Sequence, residues 1–157
     1  MGWNQSNIGD QSGRTIVVTG ANSGIGFETA RALANGGANV ILACRSEARG
    51  TEAVNRIAAD SPKGTATLAL LDLASLQSVS DFAQRMLAEH ERLHILVNNA
   101  GVMMPPKGTT ADGFELQFGI NHLGHFALTG QLLPLLDNSP GARVVNVASM
   151  AHRQGTI

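Results

Sequence analysis

The 157 residues are 43% hydrophobic and 15% charged, less charged than the roughly 25% typical of soluble domains, and the length suits one domain rather than two. Eleven Lys and Arg against twelve Asp and Glu leave a formal charge of -1, so neither nucleic acid nor an anionic membrane surface is expected as a partner. Cys44 is the only cysteine, which excludes an intrachain disulfide and a multi-cysteine zinc site and points to a reducing, cytoplasmic location.

Residues 1–12 read as an N-terminal extension without the basic cluster and apolar core of a secretory leader. Polar residues interrupt every apolar run before the roughly 18 residues a spanning helix needs. From residue 13 short β-branched runs alternate with segments of helical period, as in successive strand–helix–strand units around a parallel sheet. The strands are predicted at Thr15 to Thr19, Asn39 to Cys44, Ala66 to Leu71, His94 to Asn98 and Arg143 to Ala148, nearly continuously apolar because both sheet faces are to be covered.

Between them, a first helix is predicted to start near Ser23 to Ile25 and to stop at Asn35-Gly36-Gly37, and a second to follow Ser46 with Val54, Ile57 and Ala58 on one face. A third carries Leu76, Val79, Phe82, Ala83, Met86 and Leu87 at three- and four-residue spacing, with Ser78 and Asp81 as a capping box. The fourth, Phe114 to Leu136, is apolar nearly all round, so burial on every side is expected, by the sheet and by another helix or subunit. The fold class is therefore α/β with a doubly wound parallel sheet.

Thr19-Gly20-Ala21-Asn22-Ser23-Gly24-Ile25-Gly26 lies between the first strand and the first helix. A strand-to-helix turn presents unpaired backbone N–H groups and the positive end of a helix dipole, and glycines let a pyrophosphate come close. The Gly-x-x-x-Gly-x-Gly spacing departs from the common Gly-x-Gly-x-x-Gly dinucleotide fingerprint. His122 and His125 have no acidic or cysteine partner at metal-ligand spacing, so packing or surface roles are expected and no metal site.

The Thr-Gly-x-x-x-Gly-Ile-Gly run at 19 to 26, with Asn98-Asn99-Ala100-Gly101 after the fourth strand, resembles the short-chain dehydrogenase/reductase family and its Rossmann fold. Asn121-His122-Leu123-Gly124-His125-Phe126 and Val144-Val145-Asn146-Val147-Ala148-Ser149 with Ala151-His152 are similar to its retinol-dehydrogenase-like and protochlorophyllide-reductase-like branch. The resemblance covers residues 13 to 157. It implies that Gly20, Asn22, Ser23, Gly24, Ile25 and Gly26 hold the cofactor phosphates and that Asp72 and Leu73 border the adenine. Asn99, Ala100 and Gly101 are then to line the adenosine side and steady the sheet.

An NAD site usually carries a carboxylate at the end of the second strand for the ribose hydroxyls. Here that end reads Ala43-Cys44-Arg45, and the guanidinium of Arg45 suits the additional 2′-phosphate of NADP, so NADP (NADPH) is expected. The resemblance further implies hydride transfer between the nicotinamide and a small carbonyl or alcohol substrate. Ser149 is then to steady the substrate oxygen, and Asn121 to keep a water in the proton relay.

The family's Tyr-x-x-x-Lys pair is missing: the chain has no tyrosine, and Lys63 and Lys107 lie upstream of Ser149. The expectation is a sheet incomplete at its C-terminal end, with the fifth strand as an exposed apolar edge, in a fragment that is inactive alone and poorly soluble. A full-length form is expected to be a homo-oligomer. Two other readings stay open, a non-catalytic dinucleotide-binding module and a nonfunctional truncated product. Met103, Met104, Pro105 and Pro106 are read either as a substrate-contacting loop or as an ordinary apolar one.

Overall fold

The computed structural model describes residues 2, 4–60 and 62–150; the Ala151-His152 part of the motif lies outside them. Five strands form one parallel sheet in the order β3-β2-β1-β4-β5: β1 Thr15–Thr19, β2 Asn39–Cys44, β3 Thr65–Leu70, β4 Ile95–Asn98 and β5 Arg143–Asn146. β1 and β2 have the predicted bounds, and the others differ by one or two residues, as strand ends do when only the ladder decides them. The connecting helices are α1 Gly24–Asn35, α2 Glu47–Ala59, α3 Leu76–Glu89, α4 Leu116–Phe118 and α5 His125–Asp137, with a π-helical stretch, Gly119–Gly124, joining the last two.

Side chains alternate across the sheet and build a core on each face. Ile16, Val18, Val40 and Leu42 pack with Phe27, Ala30 and Ala34 of α1 and with Ala53 and Ile57 of α2. Val17, Ile41 and Leu96 pack with Val79, Phe82 and Met86 of α3 and Leu128 and Leu132 of α5. Ala58 and Leu87 stay exposed, at the margins of their helices' apolar faces. The cap of α3 falls elsewhere than expected and is a one-way bond: Ser75 is the N-cap and accepts from Ser78 N–H, while Ser78 Oγ accepts from Asp72 N–H and Asp81 from Gln77.

The fourth helix corrects its prediction. Leu128, Leu132, Leu135 and Leu136 are buried, but Phe114, Phe118, Phe126 and Leu133 are exposed by 41–72%, and His122 stacks on Phe118 with its ring centroid 5.1 Å away. The sheet covers one side only. Among the described residues no helix is long and apolar enough to cross a membrane.

The strand order places the functional region. After β1 the chain winds outward through β2 and β3, then returns to add β4 on the other side of β1. The connections leaving β1 and β4 therefore diverge and open a crevice at the carboxyl ends of the two strands. The glycine-rich turn follows β1 and the Asn98-Asn99-Ala100-Gly101 segment ends β4, so both motifs lie at that crevice.

Candidate functional site

A cleft of about 420 Å³ occupies the crevice. Its floor is Gly20, Asn22, Ser23, Ile25 and Gly26 from the turn and Asn99, Ala100 and Gly101 from the end of β4; Arg45, Asp72 and Leu73 close the β2–β3 side. Gly24 is the predicted cofactor residue outside this lining. It faces a separate groove with Ile8 and Phe27 on the outer side of α1.

Backbone geometry explains the turn. Gly20 has φ +64°, and a Cβ built there would lie 2.9 Å from the Ala100 Cα. The residue must therefore accept a left-handed conformation and leave room for the neighbouring segment. Ser23 is the N-cap of α1 but makes no side-chain capping bond, so its hydroxyl does not compete for the first-turn N–H groups that make a helix start suitable for an anion. Gly26 packs beneath the Asn99 side chain and the Gly20 carbonyl.

The β4 segment is tied down at its start by one buried hydroxyl. Buried Thr19 Oγ1 accepts the N–H groups of Asn99 and Ala100, both at 2.9 Å, and Asn99 Nδ2 donates to the Thr19 carbonyl at 2.8 Å. Asn98 Nδ2 donates to Thr129 Oγ1 and to Asn146 Oδ1 at 3.0 and 2.8 Å, linking β4 to α5 and β5. The segment thus lines the cleft and ties the sheet together.

No carboxylate stands at the end of β2. Arg45 follows it, and Arg49, one turn into α2, lines the same cleft; Ser46 caps α2 by accepting from Arg49 N–H. Sequence reasoning missed Arg49, although its spacing of four from Arg45 across a helix start was the available signal. It also missed Ala43, Ser46, Leu71, Val102, Ile120 and Val147, which complete the wall. Cys44 is buried at the strand end, and burial pushes its thiol up against the opposing effect of the Ala21 and Asn22 backbone N–H groups.

A second cleft of about 600 Å³ continues past Gly101 and brings Asn121 and Ser149 into one lining, with His122, Phe126 and Asn146. Asn121 sits in the π-helical stretch. Its Oδ1 accepts from Val102 N–H and its Nδ2 donates to the Val102 carbonyl, both at 2.8 Å. Such a paired amide holds the loop leaving β4. Met103 and Met104 on that loop are 77% and 81% exposed, and Met104 takes φ +47° while its N–H donates to Gln117 Oε1.

These residues fit a dinucleotide: a glycine-rich strand-to-helix turn at the start of α1 for a pyrophosphate, two guanidiniums at the β2 end of the cleft, and a polar second cleft beyond. A family model described as short chain dehydrogenase matches residues 14–157. Retinol dehydrogenase 12 of Mus musculus is 53% identical over 145 residues, 92% of this chain and 46% of its own length. The chain spans about half the length of the curated relatives it matches. Among solved structures, an uncharacterized protein from Mycobacterium paratuberculosis aligns with a TM-score of 0.83 at 44% identity, over 97% of this chain and 52% of that one. An NADP active-site complex of RhlG from Pseudomonas aeruginosa aligns with a TM-score of 0.77 at 33% identity, over 90% and 55%.

Proposed function

The chain belongs to the short-chain dehydrogenase family, and from that premise we propose that it is the nucleotide-binding part of an NADP(H)-linked oxidoreductase acting on a small alcohol or carbonyl substrate. The observation that carries the cofactor choice is the pair Arg45 and Arg49 lining a cleft whose β2 end has no carboxylate. Paired guanidiniums favour a dianionic 2′-phosphate and leave ribose hydroxyls without their usual acceptor. The relative from Pseudomonas aeruginosa, solved with NADP, supports the same choice.

On this reading the N–H groups at the start of α1 bind the pyrophosphate, those of Gly20, Ala21 and Asn22 being directed at the Ala43 carbonyl and the Cys44 thiol, and Asp72 and Leu73 border the adenine. Asn99, Ala100 and Gly101 position the adenosine side. When bound, the nicotinamide supplies or accepts the hydride. Ser149 donates a hydrogen bond to the substrate oxygen, and Asn121 holds the neighbouring loop so that the two clefts keep their relative position. The chain has no tyrosine, so these residues bind and orient without supplying the family's proton donor.

The substrate class follows the naming of relatives such as retinol dehydrogenase 12. We place the chain in a reducing, cytoplasmic setting, which its single cysteine favours. The uncovered face of Phe118 on α4 and Phe126 on α5 supports subunit pairing in the full-length form.

Calorimetric titration of the 157-residue chain tests the cofactor. NADPH is expected to bind at least tenfold more tightly than NADH, and Arg45→Asp with Arg49→Asp to abolish that preference; equal affinities in the unsubstituted chain would overturn it. A parallel reduction assay with aldehydes and ketones is expected to show no turnover by this chain. Turnover would show that another group supplies the proton.

A further inference from the structure

His125 is buried and takes no part in lining the nucleotide cleft, yet both its ring nitrogens have partners. Nε2 lies 2.9 Å from Thr19 Oγ1, and Nδ1 lies 3.0 Å from the Asn121 carbonyl oxygen. The proton positions follow from counting. The Asn121 carbonyl can only accept, and both acceptor sites of the Thr19 hydroxyl are taken by the N–H groups of Asn99 and Ala100, so the neutral ring has its acceptor at Nε2, facing a hydroxyl whose proton has Nε2 at 2.9 Å and the Val97 carbonyl at 3.4 Å within reach. Nδ1 then carries the proton and donates to Asn121.

The helix is distorted at this point. In a regular α-helix the Asn121 carbonyl would accept from the backbone N–H of His125; here that N–H is directed to the His122 carbonyl within the π-helical stretch. The imidazole takes over the carbonyl. π-helical insertions of this kind concentrate at functional positions.

The loop leaving β4 is gripped twice, by Thr19 at Asn99 and Ala100 and by the Asn121 amide at Val102. His125 joins the two grips, closing a ring of hydrogen bonds around the segment that separates the two clefts. We propose that His125 is a positioning residue which, as the neutral ring protonated at Nδ1, braces the nucleotide-binding Thr19 turn against the Asn121 turn and thereby holds the Asn99–Val102 loop in its binding geometry. The part of this proposal that concerns binding rests on the dinucleotide reading above; the part that concerns the ring does not.

A second proton on the ring would point Nε2–H at a hydroxyl with no acceptor site left, so the brace opens when the ring is charged. Burial works in the same direction, holding His125 below the ordinary histidine range, with the Asn121 carbonyl opposing it in part. Of the residues lining the cleft beside it, His122 is the other titratable one; the neighbouring Thr19, Asn98, Asn121 and Asn146 are neutral.

Nitrogen–proton correlation spectra of the imidazoles in the full chain, recorded from pH 8 to pH 5 and assigned against His125→Gln, test the brace directly. The expected result is an Nδ1-protonated neutral ring at pH 7 that titrates below the ordinary histidine range. An Nε2-protonated or charged ring at pH 7 would overturn the proposal, whatever the chain binds. For the affinity arm, NADPH is titrated into His125→Leu and His125→Gln. A loss of tenfold or more is expected for Leu, recovered mostly by Gln, which keeps one donor and one acceptor, together with loss of the acid-side fall in affinity that the brace predicts for the unsubstituted chain. A folded Leu variant with unchanged affinity and pH profile would refute the brace. If Leu does not fold, the tautomer decides. If the unsubstituted chain binds no NADPH, the dinucleotide reading fails and the tautomer still judges the brace.

Discussion

Gly20 and Ala100 approach so closely that a Cβ on the glycine would lie 2.9 Å from the Ala100 Cα. The contact joins the ends of β1 and β4 at the mouth of the cleft. Gly20 also has φ +64°, a conformation that costs an L-residue about 1–2 kcal/mol. Gly20→Ala is expected to add the collision to that cost. Gly24 is the matched control, because it has φ +56° but nothing within 4 Å of its built Cβ. Thermal unfolding should therefore place Gly20→Ala below Gly24→Ala, each kcal/mol of difference lowering the midpoint by about 2–4 °C for a chain of this size. Equal midpoints would mean that the Ala100 contact yields without cost.

Thr19 is fully buried, and its hydroxyl is the acceptor for two backbone N–H groups on another strand's loop. Thr19→Val keeps the shape and removes the acceptor. Leaving a fully buried donor unpaired costs about 1–3 kcal/mol; the Asn99 and Ala100 N–H groups are half-buried, so a loss toward the low end for two donors, about 2–4 kcal/mol, is expected, with a lower urea midpoint and an unchanged slope. Thr19→Ser keeps the hydroxyl and gives up one methyl group, for which a loss of about 1 kcal/mol is expected. A valine variant as stable as the serine variant would show that the two bonds are replaced by other acceptors.

The elements that sequence reasoning recovers best are those whose signal is local. β1 and β2 are unbroken apolar runs, and the glycine-rich turn is recognisable because it lies between a strand and a helix. The π-helical stretch has no such signal. Phe114, Phe118, Ile120, Phe126 and Leu128 read as one regular apolar helix, and an inserted residue shifts the period so that Phe118 and Phe126 turn outward while Leu128 stays in. Arg49 depends on the direction in which α2 leaves β2, which only the packed sheet determines. Thr19 and His125 act on partners about 80 and 106 positions away, a relation that residue spacing along a chain does not express.

Cys44 is 1% exposed, and burial pushes its thiol above the usual range despite the N–H groups of Ala21 and Asn22 beside it. A thiol that is both protonated at neutral pH and covered reacts only when the protein opens. Maleimide labelling at pH 7.5 is expected to be about 100-fold or more slower for the folded chain than in denaturant. It is also expected to slow further with NADPH present, because binding lowers the open population. Folded and unfolded rates of the same size would show that the end of β2 is accessible and that Cys44 is a reactive thiol.

Among the described residues β5 pairs with β4 on one side only, and Val144, Val145 and Val147 are 41%, 43% and 46% exposed. Unpaired backbone N–H and C=O groups along a strand with β-branched side chains on both faces invite pairing with another chain. Val144 lies in register with Leu96 and Val145 with Val97, so the two valines continue the two core faces beyond the last covering helices. The 157-residue chain is therefore expected to self-associate in a concentration-dependent way, seen as a rising sedimentation coefficient between about 5 and 100 µM. Val145→Lys places a charge on the edge, the device that natural sheets use against such pairing, and is expected to shift the chain toward monomer while leaving β4 and the cleft intact. NADPH affinity measured on the same samples separates the two effects: an unchanged affinity with reduced association locates the contact at β5, whereas a variant that associates as before places it on another surface, of which the exposed Phe118 and Phe126 face of α4 and α5 is the next to probe with Phe126→Glu.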